Sequence, residues 1–252
     1  MAGHSKWANI RHKKAKEDAK RAKVFTKHIR EITIAAREGG GDPDGNPRLS
    51  LAIDNAKAAN LPKDNIERAI KKGTGELDDG SGAYEETTYE GYGPGGIAFF
   101  IEVTTNNYNR TVGEIRHIFT KHGGNLGTDG SVGYMFEQKG VIRVSSEAPD
   151  EEEFMMDAIE AGAEDVTNEG DYFEVITARE NLIEIRNRLE QAGYNIDSAE
   201  LVRIPVTEVK AEEGTALTNL KMMEMFEDND DVSNVFTNLK MDEETLALTE
   251  QL

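Results

Sequence analysis

The segment YEETTYEGYGPGGIAFFIEVT, residues 84–104, decides the fold, because the hydrophobic pattern of the chain changes its period there. Up to about residue 75, apolar residues recur every three or four positions, which is typical of amphipathic helices. From Tyr84 the pattern has a period of two, which is typical of strands. We predict strands over Tyr84–Glu90 and Ile97–Thr104, joined by the glycine-rich turn Gly91–Gly96. The sequence therefore predicts a helical beginning followed by mixed α/β structure.

Three helices are predicted before this segment, and together they form a small helical domain. The first ends at the glycines 39–41, and weak apolar anchoring near Asp18–Ala22 predicts a break in it. The second begins with Asn46 as its N-cap and Pro47 at its first position. Residues 64–67 resemble a capping box that opens the third helix, which ends at Gly73. The predicted apolar face of the first helix consists of Ala22, Phe25, Ile29, Ile32 and Ala36.

Beyond residue 104 the pattern continues as α/β structure. Residues 140–204 predict a self-contained β-α-β-β-α-β unit, which is the order of a ferredoxin-like split βαβ fold. Its predicted strands are Val141–Val144, Asp165–Asn168, Tyr172–Thr177 and Ile196–Ile204, and its helices are Glu151–Ala161 and Ala178–Ala192. Outside it we predict helices over Arg110–Lys121 and Leu217–Phe226, and strands over Val132–Phe136 and Val232–Leu239.

The α/β region that begins at residue 83 has too few strands unless the last helix and strand return to it. We therefore predict an α+β protein with an N-terminal three-helix domain followed by two interleaved ferredoxin-like α/β domains. The predicted segments are 1–76 (basic N-terminal arm and helical domain), 83–138 with 205–240 (discontinuous α/β domain), 139–204 (inserted ferredoxin-like domain) and 241–252 (acidic tail, frayed or a short helix).

The composition excludes several classes of protein. Cysteine is absent, which removes disulfides, thiolate nucleophiles and cysteine-type zinc sites. The longest apolar stretch, Ile97–Ile101, is far shorter than the roughly 20 residues that span a bilayer. The charged N-terminus lacks the apolar core of a secretory signal. These features predict a cytoplasmic protein with no membrane contact.

The charge is divided unevenly along the chain, whose formal net charge is −19. Residues 1–75 contain 17 Lys and Arg against 9 Asp and Glu, a net charge of +8. The remaining residues contain 12 against 39, a net charge of −27. An acidic body repels nucleic acid in bulk, so the basic segment attached to it indicates a partner of its own.

The basic segment predicts a helix with one cationic face. Six cations recur at spacings of three and four, within an arc of roughly 120°: Lys13, Lys16, Lys20, Lys23, Lys27 and Arg30. The single tryptophan, Trp7, precedes them. Cations with an interleaved aromatic residue suit phosphate binding combined with base stacking. The alternative is that this face docks on the acidic body of the protein itself. The predicted nucleic-acid-binding residues are His4, Lys6, Trp7, Arg11, Lys13, Lys14, Lys16, Lys20, Arg21, Lys23, Lys27 and Arg30.

A second polar cluster stands where the helix after residue 104 begins. Asparagine and arginine recognise bases or backbone, and tyrosine stacks on bases, so the cluster is a candidate secondary contact. The alternative is an asparagine N-cap beside a surface arginine. The residues of this secondary contact are Asn107, Tyr108, Asn109, Arg110 and Lys121.

Two glycine-rich loops, Gly91–Gly96 and Gly123–Gly130, either approach a phosphate or form tight turns. Tight turns are favoured, because neither loop lies between a strand and a helix in the manner of phosphate-binding motifs.

No catalytic motif is found. Neither a Gly-x-Ser-x-Gly motif nor a Walker A motif is present. His117 and His122 are five residues apart, a spacing that suits no helical pair of metal ligands. The carboxylate runs 150–153 and 228–231 are typical of a helix N-terminus and a turn. We predict a protein that is not an enzyme and that carries neither metal nor cofactor. The remaining enzymatic alternative is a cleft between the two α/β domains.

Long motifs distributed over almost the whole chain resemble the YebC/PmpR family. They are AGHSKW (2–7), NPRL (46–49), NLPKDNI (60–66), RAIKKG (68–73), YEGYGPGG (89–96), NRT (109–111), GGNLG (123–127), GSV (130–132) and DDVSNV (230–235). The family commonly has Thr-Asp-Asn where this chain has Thr105, Asn106 and Asn107, so no role for that carboxylate is carried over.

The resemblance implies a cytoplasmic three-domain α+β protein that is not an enzyme. Bacterial members are described as probable transcriptional regulators that bind DNA. Mitochondrial relatives resemble translational activators, and bacterial members have also been connected with ribosomes stalled on proline-rich chains. Two functions therefore stay open: a DNA-binding transcriptional regulator acting through its basic N-terminal helix, and a ribosome-associated translation factor that binds rRNA or tRNA. Protein partners on the acidic body are also expected, and the sequence leaves the oligomeric state undetermined.

Overall fold

The computed structural model describes residues 18–77, 80, 82–145 and 150–252. Its helices are α1 Asp18–Gly39, α2 Pro47–Ala58, α3 Lys63–Gly73, α4 Tyr108–Lys121, α5 Glu151–Ala161, α6 Leu182–Gln191, α7 Glu213–Glu227 and α8 Glu243–Ala247. Its strands are β1 Glu85–Tyr92, β2 Ala98–Thr105, β3 Asn125–Leu126, β4 Phe136–Ser145, β5 Asp165–Asn168, β6 Tyr172–Ala178, β7 Ile196–Pro205 and β8 Val232–Thr237. Helices followed by two four-stranded antiparallel sheets confirm the predicted α+β class.

The chain forms two compact units, each built from separate stretches of sequence. The first unit contains the described residues up to Lys27, those of 79–137, and residues 204–252. The second contains the described residues of 28–78 and of 138–203. The predicted three-domain boundaries stay a prediction. No helix in the described part of the chain is long and apolar enough to cross a membrane.

The sheet of the first unit has the strand order β3-β1-β2-β8, so the β1–β2 hairpin lies at its centre. Alternate residues of β2, among them Phe99 and Ile101, point into the core beneath α4 and α7. The rings of Phe99, Phe119 and Phe226 pack in edge-to-face and tilted arrangements, with centroids 4.9–6.0 Å apart. This aromatic cluster fixes both helices on one face of the sheet.

The sheet of the second unit has the order β5-β6-β4-β7, which is the predicted split βαβ arrangement. Its core lies between the sheet and helices α5 and α6. Helix α2 belongs to the same unit and binds strand β7 through a side chain. The Asn55 amide donates to the Ala199 carbonyl (2.8 Å) and accepts from the Ala199 N–H (3.2 Å). Asn55 therefore replaces a neighbouring strand for these two backbone groups.

The N-terminal helices follow their local sequence signals in most respects. Asn46 is the N-cap of α2, as predicted, and its side chain accepts from the Leu49 N–H. Helices α1 and α3 approach closely at Gly73, where an added Cβ would lie 2.3 Å from the Thr33 carbonyl oxygen. A glycine is therefore required at that crossing.

Two sequence predictions about helices are wrong, and a third stays a prediction. Helix α1 begins at Asp18, the first described residue, so a break between two helices near Asp18–Ala22 is not tested. Ala22 of the predicted apolar face is exposed, whereas all five residues of 32–36 are buried, so burial in this part of α1 is not confined to one face. Helix α3 begins at Lys63 with no side-chain cap bond, so the predicted capping box does not form.

The predicted strand Val132–Phe136 is also wrong. Gly133–Met135 is a 3₁₀ turn, and β4 begins only at Phe136. The last residues form the short helix α8, capped by Asp242, rather than a frayed tail. Met241 and Leu248 of this segment are buried in the core of the first unit, and burial of these side chains holds the segment in place.

Candidate nucleic-acid interface

The predicted nucleic-acid-binding residues fall into three groups in the structure. Lys20 and Arg21 lie on α1. The side chains of Lys23, Lys27 and Arg30 on the same helix are described and half-buried. The remaining ones, His4, Lys6, Trp7, Arg11, Lys13, Lys14 and Lys16, lie outside the described residues.

Lys23 and Lys27 both bind the protein itself at the junction of α7 and β8. The Lys23 ammonium donates to the backbone oxygen of Asp228 (3.0 Å) and lies 3.4 Å from that residue's carboxylate. The Lys27 ammonium donates to the Ser233 carbonyl at 3.5 Å. At these two positions the structure therefore agrees with the alternative interpretation, in which the basic face docks on the acidic body.

The ion pair of Lys23 is weakly held. Its side chain is 40% exposed and that of Asp228 is 44% exposed. Pairs this accessible contribute roughly 0–1 kcal/mol to stability, because water and salt screen them. The contact therefore adds little to stability, and the Lys23 ammonium keeps part of its surface exposed to solvent.

The secondary cluster is built around the start of α4. The Asn107 side chain accepts from the Arg110 N–H at 3.1 Å, so it is the N-cap of the helix. Arg110 binds Asp231 with two nitrogens, at 2.6 Å from Nη2 and 3.2 Å from Nε, and Nη2 also lies 3.4 Å from the amide oxygen of Asn106. The alternative interpretation, an asparagine N-cap beside a surface arginine, is therefore correct for the cap. It is incomplete for Arg110, which is held by Asp231.

Asp231 is a buried anchor that sequence reasoning missed. Its side chain is only 3% exposed, although the run 228–231 was interpreted as a solvated turn. The hydroxyls of Thr105 and Thr111 lie 3.2 Å and 2.7 Å from its Oδ2, and both threonines are fully buried. Its carboxylate raises the pKa of Arg110, mainly through their hydrogen bond. This network joins the end of β2, the start of α4 and the start of β8.

Tyrosine and asparagine side chains surround this anchor on the surface. Tyr108 and Asn109 are exposed. A hydrogen bond to Glu85 raises the pKa of Tyr108, and burial raises that of Tyr89. Lys121 is exposed in the last turn of α4, at the far end of the helix from Arg110. The structure thus leaves an aromatic and amide surface at one end of α4 and a cation at the other.

The second glycine-rich loop binds a carboxylate of the protein itself. The buried Glu90 accepts from the N–H groups of Gly130 (2.9 Å), Val132 (2.5 Å) and Gly133 (2.8 Å). A carboxylate with three such donors takes the place that a phosphate would need. The loop is therefore structural, in agreement with the favoured interpretation.

The first glycine-rich loop is also a structural turn. An added Cβ on Gly93 would lie 2.1 Å from the buried amide oxygen of Asn219 on α7. The Asn219 amide nitrogen donates to the Pro94 carbonyl at 3.0 Å. The turn therefore packs closely against α7, and only glycine fits at position 93.

His122, which lies outside the basic segment, packs against a methionine. The Nε2 atom of His122 lies 3.1 Å from the sulfur of Met225. Burial and the nearby cations Lys121 and Lys221 lower the pKa of His122. Among the described residues there is no group of three or more His, Asp or Glu side chains that could hold a metal ion.

Comparison with known protein families identifies the chain. Residues 5–76 match the family described as TACO1/YebC protein N-terminal domain, and residues 84–239 match TACO1/YebC second and third domain. The chain belongs to the TACO1/YebC family. This confirms the resemblance drawn from the sequence motifs.

Curated members of the family share most of the sequence. A protein of Persephonella marina is 56% identical over 248 residues, and one of Geobacter sulfurreducens is 55% identical over 246; each match covers 98% of both chains. Both are named probable transcriptional regulatory proteins. The crystal structure of a conserved hypothetical protein from Aquifex aeolicus, 48% identical, covers 91% of this chain and 94% of its own with a TM-score of 0.84. The family and its names support a regulatory protein.

Proposed function

We propose that this protein is a regulator, not an enzyme, that binds duplex DNA through its basic N-terminal segment. The observation that carries the proposal is the division of charge, +8 in residues 1–75 and −27 beyond them, from 17 basic and 9 acidic against 12 basic and 39 acidic residues. The acidic remainder repels phosphates, so the contact is confined to the basic segment. The names of the curated relatives support transcription as the process that is regulated.

The proposed phosphate contacts are the cations of the basic face, with Trp7 and His4 reaching bases or a groove. Lys23 and Lys27 mark the boundary of this surface, because both already bind the α7–β8 junction. The weak, half-exposed pair of Lys23 with Asp228 can exchange its carboxylate for a phosphate. Tyr108 and Asn109 supply the proposed secondary contact, with Arg110 presenting only the edge of its guanidinium that Asp231 does not bind.

Salt dependence tests the phosphate mechanism. If about six phosphates are neutralised, the logarithm of the association constant falls with the logarithm of salt concentration at a slope of roughly −5 on duplex DNA. Fluorescence anisotropy of a labelled duplex over a range of potassium chloride concentrations measures this slope. A flat salt dependence would refute the mechanism.

Charge reversal tests where the contact lies. The double variant Lys16→Glu and Lys20→Glu should abolish binding and leave thermal unfolding nearly unchanged. Its matched control is Lys63→Glu with Lys71→Glu, which changes the net charge equally at exposed positions of α3. If both variants lose binding to the same extent, the total charge of residues 1–75 and not the predicted cationic face governs the interaction. If the charge-reversal variant loses both DNA affinity and thermal stability, the basic face is structural.

The nature of the nucleic acid is tested by two parallel binding assays. Sedimentation of the protein with ribosomes is compared with footprinting on promoter DNA, at one salt concentration. Protection of promoter DNA without co-sedimentation supports the proposal. Co-sedimentation without protection replaces the DNA regulator by the translation factor that binds rRNA or tRNA.

A further inference from the structure

Helix α5 exposes three large apolar side chains. Met155, Met156 and Ile159 are 36%, 64% and 53% exposed. The helix is already anchored through another face, on which Phe154 packs against Phe173 and Tyr194. The ring centroid of Phe154 lies 4.5 Å from that of Phe173 and 4.9 Å from that of Tyr194. The three exposed side chains therefore add little to the core of the unit. Large apolar side chains grouped on a surface indicate an interaction site.

The three side chains form one continuous patch. They stand at the spacing i, i+1 and i+4, which places them within an arc of about 100° on the helix. This arc is separate from the one that carries the buried residues Phe154 and Ala158. Methionine is unbranched and polarisable, so such a patch can adapt to partners of irregular shape.

Carboxylates surround the patch on both sides. Glu151, Glu152 and Glu153 are exposed in the first turn of α5, and Glu160 is exposed near its end. The sequence contains no Lys or Arg from residue 150 to residue 164. Acids in the first turn stabilise a helix through its dipole, but Glu160, near the C-terminus, opposes the dipole. The Arg188 guanidinium of α6 donates to the Ala161 carbonyl at that end of α5 (3.2 Å), so the negative charge beside the patch comes mainly from the first turn and Glu160.

We propose that the Met155, Met156 and Ile159 face of α5 docks a basic amphipathic segment of a partner protein. Apolar side chains of the segment cover the methionines and the isoleucine, and its Lys or Arg residues pair with the surrounding glutamates. Nucleic acids and anionic membranes are repelled by the same glutamates. A second copy of the chain, packed about a twofold axis through this face, would bring like charges together. None of these residues belongs to the proposed nucleic-acid contacts, so the proposal goes beyond nucleic-acid binding.

Two labelled helical peptides test the proposal by fluorescence anisotropy with the full-length protein at physiological salt. One carries lysine on one face and leucine on the other, and the second has glutamine in place of every leucine. The amphipathic peptide should bind roughly tenfold more tightly, because only it covers the apolar patch. The variant Met156→Gln with Ile159→Gln should remove that difference. Glutamine forms helices well, so the thermal unfolding of the variant should stay close to that of the parent.

Val206→Gln is the matched control, since Val206 is 63% exposed outside the patch. It should keep the full difference between the two peptides. Equal binding of both peptides to the parent protein would overturn the proposal, because charge alone would then account for the interaction. An undiminished difference in the α5 variant would also overturn it, since the peptide would bind elsewhere. Concentration-dependent dimerisation that the α5 variant abolishes would assign the face to a second copy instead.

Discussion

The pair of Arg110 and Asp231 should contribute much more to stability than an ion pair of the same length on the surface. Asp231 is 3% exposed and Arg110 is 45% exposed, and their closest atoms are 2.6 Å apart. Exposed pairs contribute roughly 0–1 kcal/mol, whereas breaking a fully buried pair costs about 3–5 kcal/mol. With one partner buried and one half-exposed, we expect a coupling free energy of about 2 kcal/mol between the two side chains.

A double-mutant cycle measures this coupling. Arg110→Ala, Asp231→Asn and the double variant are compared with the parent protein by urea denaturation followed by circular dichroism. The control cycle uses Arg48→Ala and Glu38→Gln, a pair 2.7 Å apart whose side chains are 37% and 52% exposed. We expect the control coupling to lie below about 1 kcal/mol. The slope of free energy against urea must stay constant for the comparison to hold.

Equal coupling in the two cycles would refute the reasoning, because burial of Asp231 would then contribute nothing. The single variants carry a further expectation. Asp231→Asn replaces the ionised acceptor of Arg110 and of two buried threonine hydroxyls by a neutral amide with one acceptor oxygen, which should cost about 1–3 kcal/mol. Because Arg110 is then held less strongly, DNA binding should be unchanged or tighter. Weaker binding without loss of stability would show that the tethered arginine is the form that contacts nucleic acid.

Three further predictions follow from single residues. Gly93→Ala should lower the free energy of unfolding in urea by more than about 2 kcal/mol, because the added Cβ would overlap a buried amide oxygen. The control Gly113→Ala, on an open face of α4, should raise it by about 0.5–1 kcal/mol. Equal effects of the two variants would contradict the steric argument. Glu90→Gln should cost about 2–3 kcal/mol and speed hydrogen exchange at the three amides that the carboxylate accepts; unchanged exchange would rule out that role. Burial and a hydrogen bond to Asp157 raise the pKa of Tyr194 from 10.0 to about 12. The folded state therefore holds the phenol proton more tightly than the unfolded state does. The resulting contribution to stability is present below about pH 10 and is lost as the pH rises through 12. Ultraviolet titration should show that Tyr194→Phe removes a phenol that ionises near pH 12, and a profile identical to that of the parent would be inconsistent with the shift.

Local patterns predicted the elements of the fold correctly where neighbouring residues control them. The change of period near Tyr84, the Asn46 cap and the succession of strands and helices over residues 140–204 all depend on spacings of a few residues. One wrong prediction has a cause that lies far away in sequence. The strand expected over Val132–Phe136 is instead a turn, and the amides of Val132 and Gly133 bind Glu90, more than 40 residues earlier.

The candidate interface divides in the same way. The sequence by itself determined the separation of charge, the cationic face of α1 and the asparagine cap at α4, because charge counts and helical spacing are local properties. Only the tertiary structure decided that Lys23 and Lys27 bind the α7–β8 junction and that Asp231 is a buried anchor for Arg110. These partners are more than 100 residues apart in sequence, and no periodicity encodes a contact that depends on how two distant segments pack.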